Sequence, residues 1–243
     1  MSLPRYKQYK SSASPWFETV PFHWEPSCLK RVVAYVESGV SVNAVDEPAG
    51  PESFGVLKTS CVYTGVFDPA ENKAVLPDEI GRVACHVKAN TLIVSRMNTP
   101  ALVGAAGLVT ETVKNLFLPD RLWQVHFNNA EPKFVYYWTN SASYRAQVQM
   151  ACAGTSASMQ NLSQDDFLSF TLPLPPRCEQ IAVAAFLDRE TAKIDVLIAE
   201  QEKLIGLLKE RRASLITAAV TGQIDVRGVM PQAVVECEEV NAA

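Results

Sequence analysis

The segment Leu172-Pro-Leu-Pro-Pro176 stands shortly before a stretch, Ile181 to Val220, that holds no proline and a single glycine, Gly206. Pro173, Pro175 and Pro176 fix φ and remove three backbone donors, so residues 172–176 should be extended and a helix can begin only after them, with 172–180 taken as the proline strap. Ala, Leu, Ile, Glu, Lys and Arg dominate residues 181–220, a strongly helix-forming composition. At 1.5 Å per residue, a helix over 181–220 spans roughly 55 to 60 Å, more than a domain of this size can bury. Leu187, Ile194, Leu208 and Leu215 recur every seven residues with Gln201 as the polar interruption, and Leu197, Ile198, Leu204, Ile205 and Ile216 fill the adjoining stripe. That spacing is a coiled-coil seam in need of a partner helix, and Leu187, Ile194, Leu197, Gln201, Leu204, Leu208 and Leu215 are its expected pairing residues. A polar residue in such a seam can set register and strand number. The charged residues between them, such as Glu190, Lys193, Glu200 and Lys203, read as a solvated face.

The rest of the chain supplies one substantial domain. At 243 residues and 48% hydrophobic, the composition is that of a globular protein. No apolar run approaches the roughly 18 residues of a membrane span, and Met1-Ser-Leu-Pro-Arg-Tyr-Lys7 lacks the apolar core of a secretion signal, so the cytoplasm is the expected location. The six cysteines, at 28, 61, 85, 152, 178 and 237, form no CxxC pair, which argues against structural zinc and against a disulfide framework. Net charge is -4, and neither part is basic: residues 1–170 carry 14 Lys and Arg against 15 Asp and Glu, residues 171–243 carry 8 against 11. A nucleic-acid binder relying on its own phosphate contacts usually shows a basic excess, so any such role needs a local patch or a basic partner.

Along the chain, residues 1–26 read as an irregular aromatic arm and Cys28 to Val36 as a short amphipathic helix. Val56-Leu57, Cys61 to Tyr63, Val83 to Val87, Leu92 to Val94 and Leu122 to Phe127 are short apolar, β-branched or aromatic runs bounded by turn formers, which predicts a twisted, barrel-like sheet. Pro132 to Met150 has a helical pattern, residues 153–162 are small and polar, and Phe167 to Leu174 reads as a last strand. The fold class is therefore α+β: an arm (1–26), a mixed, β-rich domain (27–171), the strap (172–180), a long C-terminal coiled-coil helix (181–222) and a flexible acidic tail (223–243).

Chemistry is thinly represented. His23, His86 and His126 are far apart in sequence, and Cys85-His86 are neighbours on a predicted strand and so face opposite ways. Gly104-Ala-Ala-Gly107 is a lone glycine pair, weak evidence for a cofactor, and no glycine-rich phosphate loop is present. No catalytic or metal constellation emerges.

Leu174-Pro-Pro-Arg-Cys-Glu-Gln-Ile-Ala182, Phe186-Leu-Asp-Arg-Glu-Thr-Ala-Lys-Ile-Asp195 and Leu204-Ile-Gly-Leu-Leu-Lys-Glu-Arg-Arg-Ala-Ser-Leu-Ile216 closely resemble the spacer region of type I restriction-modification specificity subunits. Val20-Pro-Phe-His-Trp24 with Leu29-Lys-Arg31 is similar to the start of such a subunit, and Leu92-Ile-Val-Ser-Arg-Met97 to its target-recognition domain. Gly154-Thr155 and Asn161-Leu162 occupy the place expected before the strap. Family members carry two recognition domains and two spacer helices, whereas this sequence has one of each and no internal repeat. The arm also has Trp16-Phe17-Glu18-Thr19 where the family has Trp-Leu-Gly. The resemblance implies a half-size, non-catalytic subunit of a type I restriction system that reads one half of a bipartite site in double-stranded DNA. The helix would pair, in a dimer, with a second copy or another specificity chain. Methyltransferase subunits are the implied partners, with a restriction subunit as a further candidate. The chain itself would need no cofactor, S-adenosylmethionine, ATP and Mg belonging to the partners. The alternative is a truncated specificity chain that serves only as a coiled-coil partner.

If the domain reads DNA, donors and acceptors on its loops must meet base edges. The candidates are Lys58 and Ser60 at a strand end, Arg96, Asn98 and Thr99 after an apolar strand, and Thr155, Ser158 and Asn161 in the small polar segment, with Arg96 and Asn98 foremost. Lys58 and Arg121 also suit phosphate contacts, and Tyr63 suits cross-strand packing.

Overall fold

Both faces of the strand Thr91–Ser95 are buried: Leu92 and Val94 belong to one hydrophobic cluster and Ile93 to another. Successive side chains on a strand point to opposite faces, so this strand requires a packed layer on each side. The computed structural model, which describes residues 4–152 and 158–226, supplies both layers.

The chain forms two units, Met1–Leu187 and Asp188–Ala243. The first begins with β1 (Tyr9–Ser14), β2 (Phe17–Pro21), β3 (Glu25–Cys28), β4 (Val33–Ser38), β5 (Ala44–Val45), β6 (Gly55–Leu57) and β7 (Asn72–Val75). It continues through β8 (His86–Val87), β9 (Thr91–Ser95), β10 (Met97–Asn98), β11 (Ala106–Val109), β12 (Val113–Phe117) and β13 (Leu122–Phe127). Helices α1 (Pro132–Thr139) and α2 (Ala142–Ala151), strand β14 (Gln160–Asn161), helix α3 (Gln164–Ser169) and strand β15 (Thr171–Leu174) lead to helix α4 (Arg177–Val220).

An antiparallel sheet ordered β11-β9-β13-β4 lies at the centre. Leu92, Val94, Trp123 and Val125 on one face pack with Phe134, Val135, Trp138, Tyr144, Val148 and Phe167 of the three short helices. Ile93 and Leu122 on the other face pack with Leu57, Val87 and Leu116 of a second sheet, ordered β5-β7-β6-β12-β8, in which β6 and β12 are parallel. The predicted single barrel-like sheet is thus two sheets sharing a core. The expected helix over 28–36 is a 3-10 turn, Leu29–Arg31, followed by β4, because β13 offers β4 a full antiparallel ladder. Cys61 to Tyr63 lies in and just after another 3-10 turn, Thr59–Val62, and the run Val83 to Val87 contributes only β8. Pro132 to Met150 is helical as expected, but broken at Asn140 and Ser141, where the Ser141 hydroxyl caps α2 by accepting from Tyr144 N. Phe167 to Ser169 ends a helix instead of starting a strand.

The arm is ordered where described. β1 and β2 form a hairpin, and β3 pairs antiparallel with β15, so the proline strap is an edge strand stitched to the arm. An edge position is where a sheet tolerates proline. Gln147 completes the other edge of β15: its amide accepts from Thr171 N at 2.7 Å and donates to Thr171 O at 2.9 Å, as a neighbouring strand would. Helix α4 starts at Arg177, directly after Pro176, which is earlier than the strap over 172–180 predicts. Its first turn is clasped by the arm. Trp24 Nε1 and the Tyr6 hydroxyl donate to Glu179 Oε2 at 2.9 and 3.2 Å, and His23 Nε2 lies 2.6 Å from Glu179 Oε1. Partial burial opposes ionisation of Glu179, yet these donors hold its carboxyl below the usual range.

Glu37 on β4 anchors a second polar knot. Its carboxylate receives Lys88 Nζ at 3.0 Å, Gln124 Nε2 at 3.1 Å and His126 Nε2 at 2.6 Å, and His126 stacks on Tyr35 at 4.1 Å. Burial raises the Glu37 pKa, but the three donors outweigh it and bring the group from 4.5 down to about 2. A depressed carboxylate stabilises the fold above its unfolded pKa and loses that contribution as pH falls through the folded value. Wild type should therefore lose about 1 to 2 kcal/mol more than Glu37→Gln between pH 5 and pH 2.5, a figure discounted for solvent screening of a partly exposed group. Urea midpoints at the two pH values measure it, and parallel losses in the two proteins would show that Glu37 is not the group responsible.

In the second unit, α4 supplies all the described helix, about 50 Å of it from residue 188 to Val220 at 1.5 Å per residue. Gly206 does not interrupt it. Ile194, Leu197, Leu204, Leu208 and Leu215 are all about half exposed, between 48% and 59%. Leu187, at the end of the first unit, is half-buried. The charges between are local, as where Glu190 Oε1 meets Arg189 Nε at 2.9 Å and Lys193 Nζ at 3.0 Å. No described helix is long and apolar enough to cross a membrane.

Candidate nucleic-acid interface

Segments far apart in sequence meet at β10. Met97 and Asn98 pair with Asn161 and Gln160 of β14, and Leu162 N donates to Arg96 O at 2.8 Å. The loop after β9 and the polar segment before α3 therefore lie side by side, bringing Arg96, Thr99 and Asn161 together. Thr99, Ser158 and Asn161 are exposed. Thr155 lies outside the described residues.

Arg96 is half-buried with its guanidinium over the Trp123 ring, 5.7 Å from the centroid, and its Nε is buried without a hydrogen-bond partner. Its backbone N–H donates to Arg121 O at 3.1 Å, which sets it beside exposed Arg121. A guanidinium leaning on an aromatic face is held in place while keeping donors available for an anion or a base edge.

Asn98 has a different position from the one its residue type suggests. It is only 6% exposed, and its Nδ2 donates to the Tyr63 hydroxyl at 2.9 Å and to Ser95 Oγ at 3.2 Å, while Oδ1 accepts from Thr99 N at 2.9 Å. Those bonds occupy both donors and one acceptor position, so the side chain is committed to the loop and not displayed to a groove. Tyr63 likewise differs from the cross-strand packing expected of it. It follows the Thr59–Val62 turn, and its hydroxyl lies 2.8 Å from Thr59 Oγ1.

Lys58 precedes that same turn and Ser60 lies within it, but both engage acidic neighbours. Lys58 Nζ is 3.5 Å from Asp46 Oδ1, which it shares with Lys73 at 3.1 Å, and the Ser60 hydroxyl donates to Glu71 in a short hydrogen bond. A cation beside a carboxylate offers less net charge to a phosphate than a free one.

The turn from Thr99 to Gly104 is braced from α2. Arg145 donates to Val103 O and Pro100 O at 2.6 Å each, and the Tyr144 hydroxyl donates to Gly104 O at 2.7 Å. Gly104 has φ of 75°, and a Cβ there would meet Val148 at 2.8 Å, so a glycine is required on both counts. Gly107 in β11 packs against the Phe67 backbone, where a Cβ would approach the nitrogen to 2.7 Å. The glycine pair thus has a packing explanation. Gln147, Tyr144 and Arg145 are not among the sequence candidates; a run of polar and aromatic residues within a helical pattern is their only signal.

Two thiols elsewhere in the first unit are subdued. Burial chiefly, with Glu37 nearby, pushes the Cys85 thiol up to about 12, and burial raises the Cys61 thiol further. Among the described residues no three His, Cys, Asp or Glu side chains are placed to hold a metal ion.

No family model matches the chain. In sequence it is 25% identical over 172 residues to the type I restriction enzyme EcoEI specificity subunit of Escherichia coli, a match covering 70% of this chain and 29% of that protein. In fold it is similar to a chain from a study of the assembly and conformational transition of the type I R-M system, with a TM-score of 0.63, 14% identity, and coverage of 87% of this chain and 48% of that one. The HsdS subunit of Thermoanaerobacter tengcongensis gives a TM-score of 0.52 at 14% identity, covering 79% of this chain and 42% of that one. The matched stretch is thus under half the length of these structural relatives and under a third of the curated one. In sequence and in fold, this chain is similar to type I restriction-modification specificity subunits, and its described residues form one β-rich domain and one long helix.

Proposed function

We propose that this chain is a non-catalytic DNA-specificity subunit that reads one half of a split site and uses its long helix to set the distance to a second reader. The match over 70% of the chain to a protein named as a specificity subunit carries the reading. Three structural features support it: the meeting of the Arg96–Thr99 and Ser158–Asn161 segments, the Arg96 guanidinium held over Trp123 beside exposed Arg121, and the exposed apolar stripe of α4. Arg96 and Asn161 are the foremost base readers, Thr99 and Ser158 flank them, and Arg121 suits a phosphate. Lys58 and Ser60 reach DNA only by giving up their acidic neighbours.

Paired helices about 50 Å long can hold two readers one DNA turn or somewhat more apart, one turn being about 34 Å. A second copy of the chain gives a symmetric split site, and another specificity chain an asymmetric one. Methyltransferase subunits supply S-adenosylmethionine chemistry and much of the positive charge that the chain, at net -4, lacks. A restriction subunit with ATP and Mg completes a cleaving complex.

The test is methylation of genomic DNA by methyltransferase subunits mixed with this chain. A split motif modified only when the chain is present is the expected result. Methylation at no motif would leave the chain as a coiled-coil partner alone, and methyl transfer by the isolated chain would make it an enzyme. Within an active complex, Arg96→Ala should cost about 2 kcal/mol of discrimination at one base pair, roughly thirtyfold, while changing other positions little. Equal weakening on every sequence would reassign Arg96 to a phosphate.

A further inference from the structure

The hydroxyl of Tyr63 joins two candidate reading segments that share no strand pairing. It accepts from Asn98 Nδ2 at 2.9 Å and lies 2.8 Å from Thr59 Oγ1. A phenol that accepts from the amide still has its own proton to give, so Thr59 can accept it and both contacts hold at once. On one side, Asn98 also fixes Ser95 and the Thr99 N–H, which places it at the root of the loop carrying Arg96 and Thr99. It is also the register partner of Gln160, next to Asn161. On the other side, the Thr59–Val62 turn carries Lys58 and Ser60 at its start, tied through Ser60 and Lys58 N to Glu71. The amide of Asn98 is buried, whereas Tyr63 is 37% exposed, so the link sits at the boundary between the packed interior and the surface that carries the readers.

We propose that Tyr63 is a positioning residue for DNA reading, bracing the β10–β14 loops against the Thr59 turn so that Arg96, Thr99 and Asn161 keep a fixed placement toward base edges. The proposal rests on the reading of this domain as a DNA reader and adds a residue whose role is geometric. Direct readout depends on donors being placed to within fractions of an ångström of base edges, so relaxing the link costs discrimination before it costs affinity. Phosphate attraction, which sets sequence-independent binding, depends on charge, and removing a neutral hydroxyl leaves charge unchanged.

The experiment compares Tyr63→Phe with wild type in the complex with methyltransferase subunits, using methylation rates on the cognate split site and on its single-base variants, together with binding to random duplex across a salt series. In Tyr63→Phe the ratio of cognate to variant methylation should fall about three- to tenfold, what one neutral hydrogen bond is worth. Random-duplex affinity and its salt slope should stay at the wild-type values, and the melting temperature should fall by no more than about 5 °C. An unchanged ratio, or equal losses on cognate and variant sites, overturns the positioning role while leaving DNA reading intact. Wild-type complex that directs methylation to no site removes the DNA-reading assignment itself, and the positioning role with it. A double-mutant cycle with Asn98→Ser separates the link from other effects: if the two residues act through one hydrogen bond, the double variant loses little more than the worse single, and additive losses count against the link.

Discussion

Leu197→Asp and Leu204→Asp should each abolish pairing through α4, raising the dissociation constant at least about a hundredfold and leaving a monomer at micromolar concentration. Burying one Leu side chain is worth about 1.5 to 3 kcal/mol, and in a symmetric dimer each substitution acts twice. An aspartate in the seam adds the cost of a carboxylate taken out of water with no cation opposite it, so the loss exceeds the missing apolar area. Both leucines are about half exposed in the chain alone, so the monomeric body should fold as before. Light scattering or sedimentation reads the mass, and an unchanged dimer in either variant would refute pairing through this helix. Wild type that is monomeric at tens of micromolar would instead assign the seam to another specificity chain. Gln201→Leu should give the opposite phenotype, tighter association with loss of a single register, if the polar seam residue specifies alignment at a cost in stability.

Gln180→Leu should destabilise the first unit by about 3 kcal/mol, lowering its melting temperature by roughly 6 to 12 °C. Gln180 is 2% exposed. Its Oε1 accepts from Glu131 N at 2.8 Å, just ahead of α1, and its Nε2 donates to Pro175 O at 2.9 Å in the strap. Leucine fills most of the same volume but leaves a backbone donor and a backbone acceptor dry and unpaired, each costing about 1 to 3 kcal/mol. Gln180→Glu keeps the acceptor and loses the donor, and it should fall between the two only below the pKa of the new carboxyl, where a proton restores donation. A loss under about 1 kcal/mol in the leucine variant would mean that the two backbone groups find other partners.

The long helix is legible in the sequence because its signal is additive: forty residues of favourable propensity, a seven-residue apolar repeat and no proline between Pro176 and Val220. β9 and β13 are legible as short apolar runs, since strands buried on both faces carry little polar alternation. The arm is not. In β1 and β2 only Ser12, Val20 and Pro21 are buried, so the hairpin has no apolar face to announce it and is fixed by its ladder. β4 reads locally as helix because a local pattern cannot register the ladder that β13, some ninety residues later, provides.

The candidate site is legible in part, and the limit is physical. Sequence identifies which side chains have donors to offer; it does not show which donors the fold has already used. Arg96 keeps its guanidinium beside Trp123, whereas Asn98, two residues on, spends its amide on Tyr63 and Ser95. Besides Tyr144 and Arg145, the residues that sequence reasoning misses are glutamines. Gln124, Gln147 and Gln180 are each at most 2% exposed, and each bonds groups distant in sequence. Their shared signature is a long neutral amide inside an otherwise apolar or helical run, as in Leu122-Trp-Gln-Val125.

Cys28 and Thr171 are register partners across the β3–β15 pair, so everything between them leaves from and returns to one place. Topologically, the β-rich body is a cassette whose two ends meet at the arm, the strap and the root of the helix. The separation of its two ends is set by a strand ladder and not by what lies between. Under the proposed function, exchange at that junction would replace the reading body and leave the helix that follows it untouched.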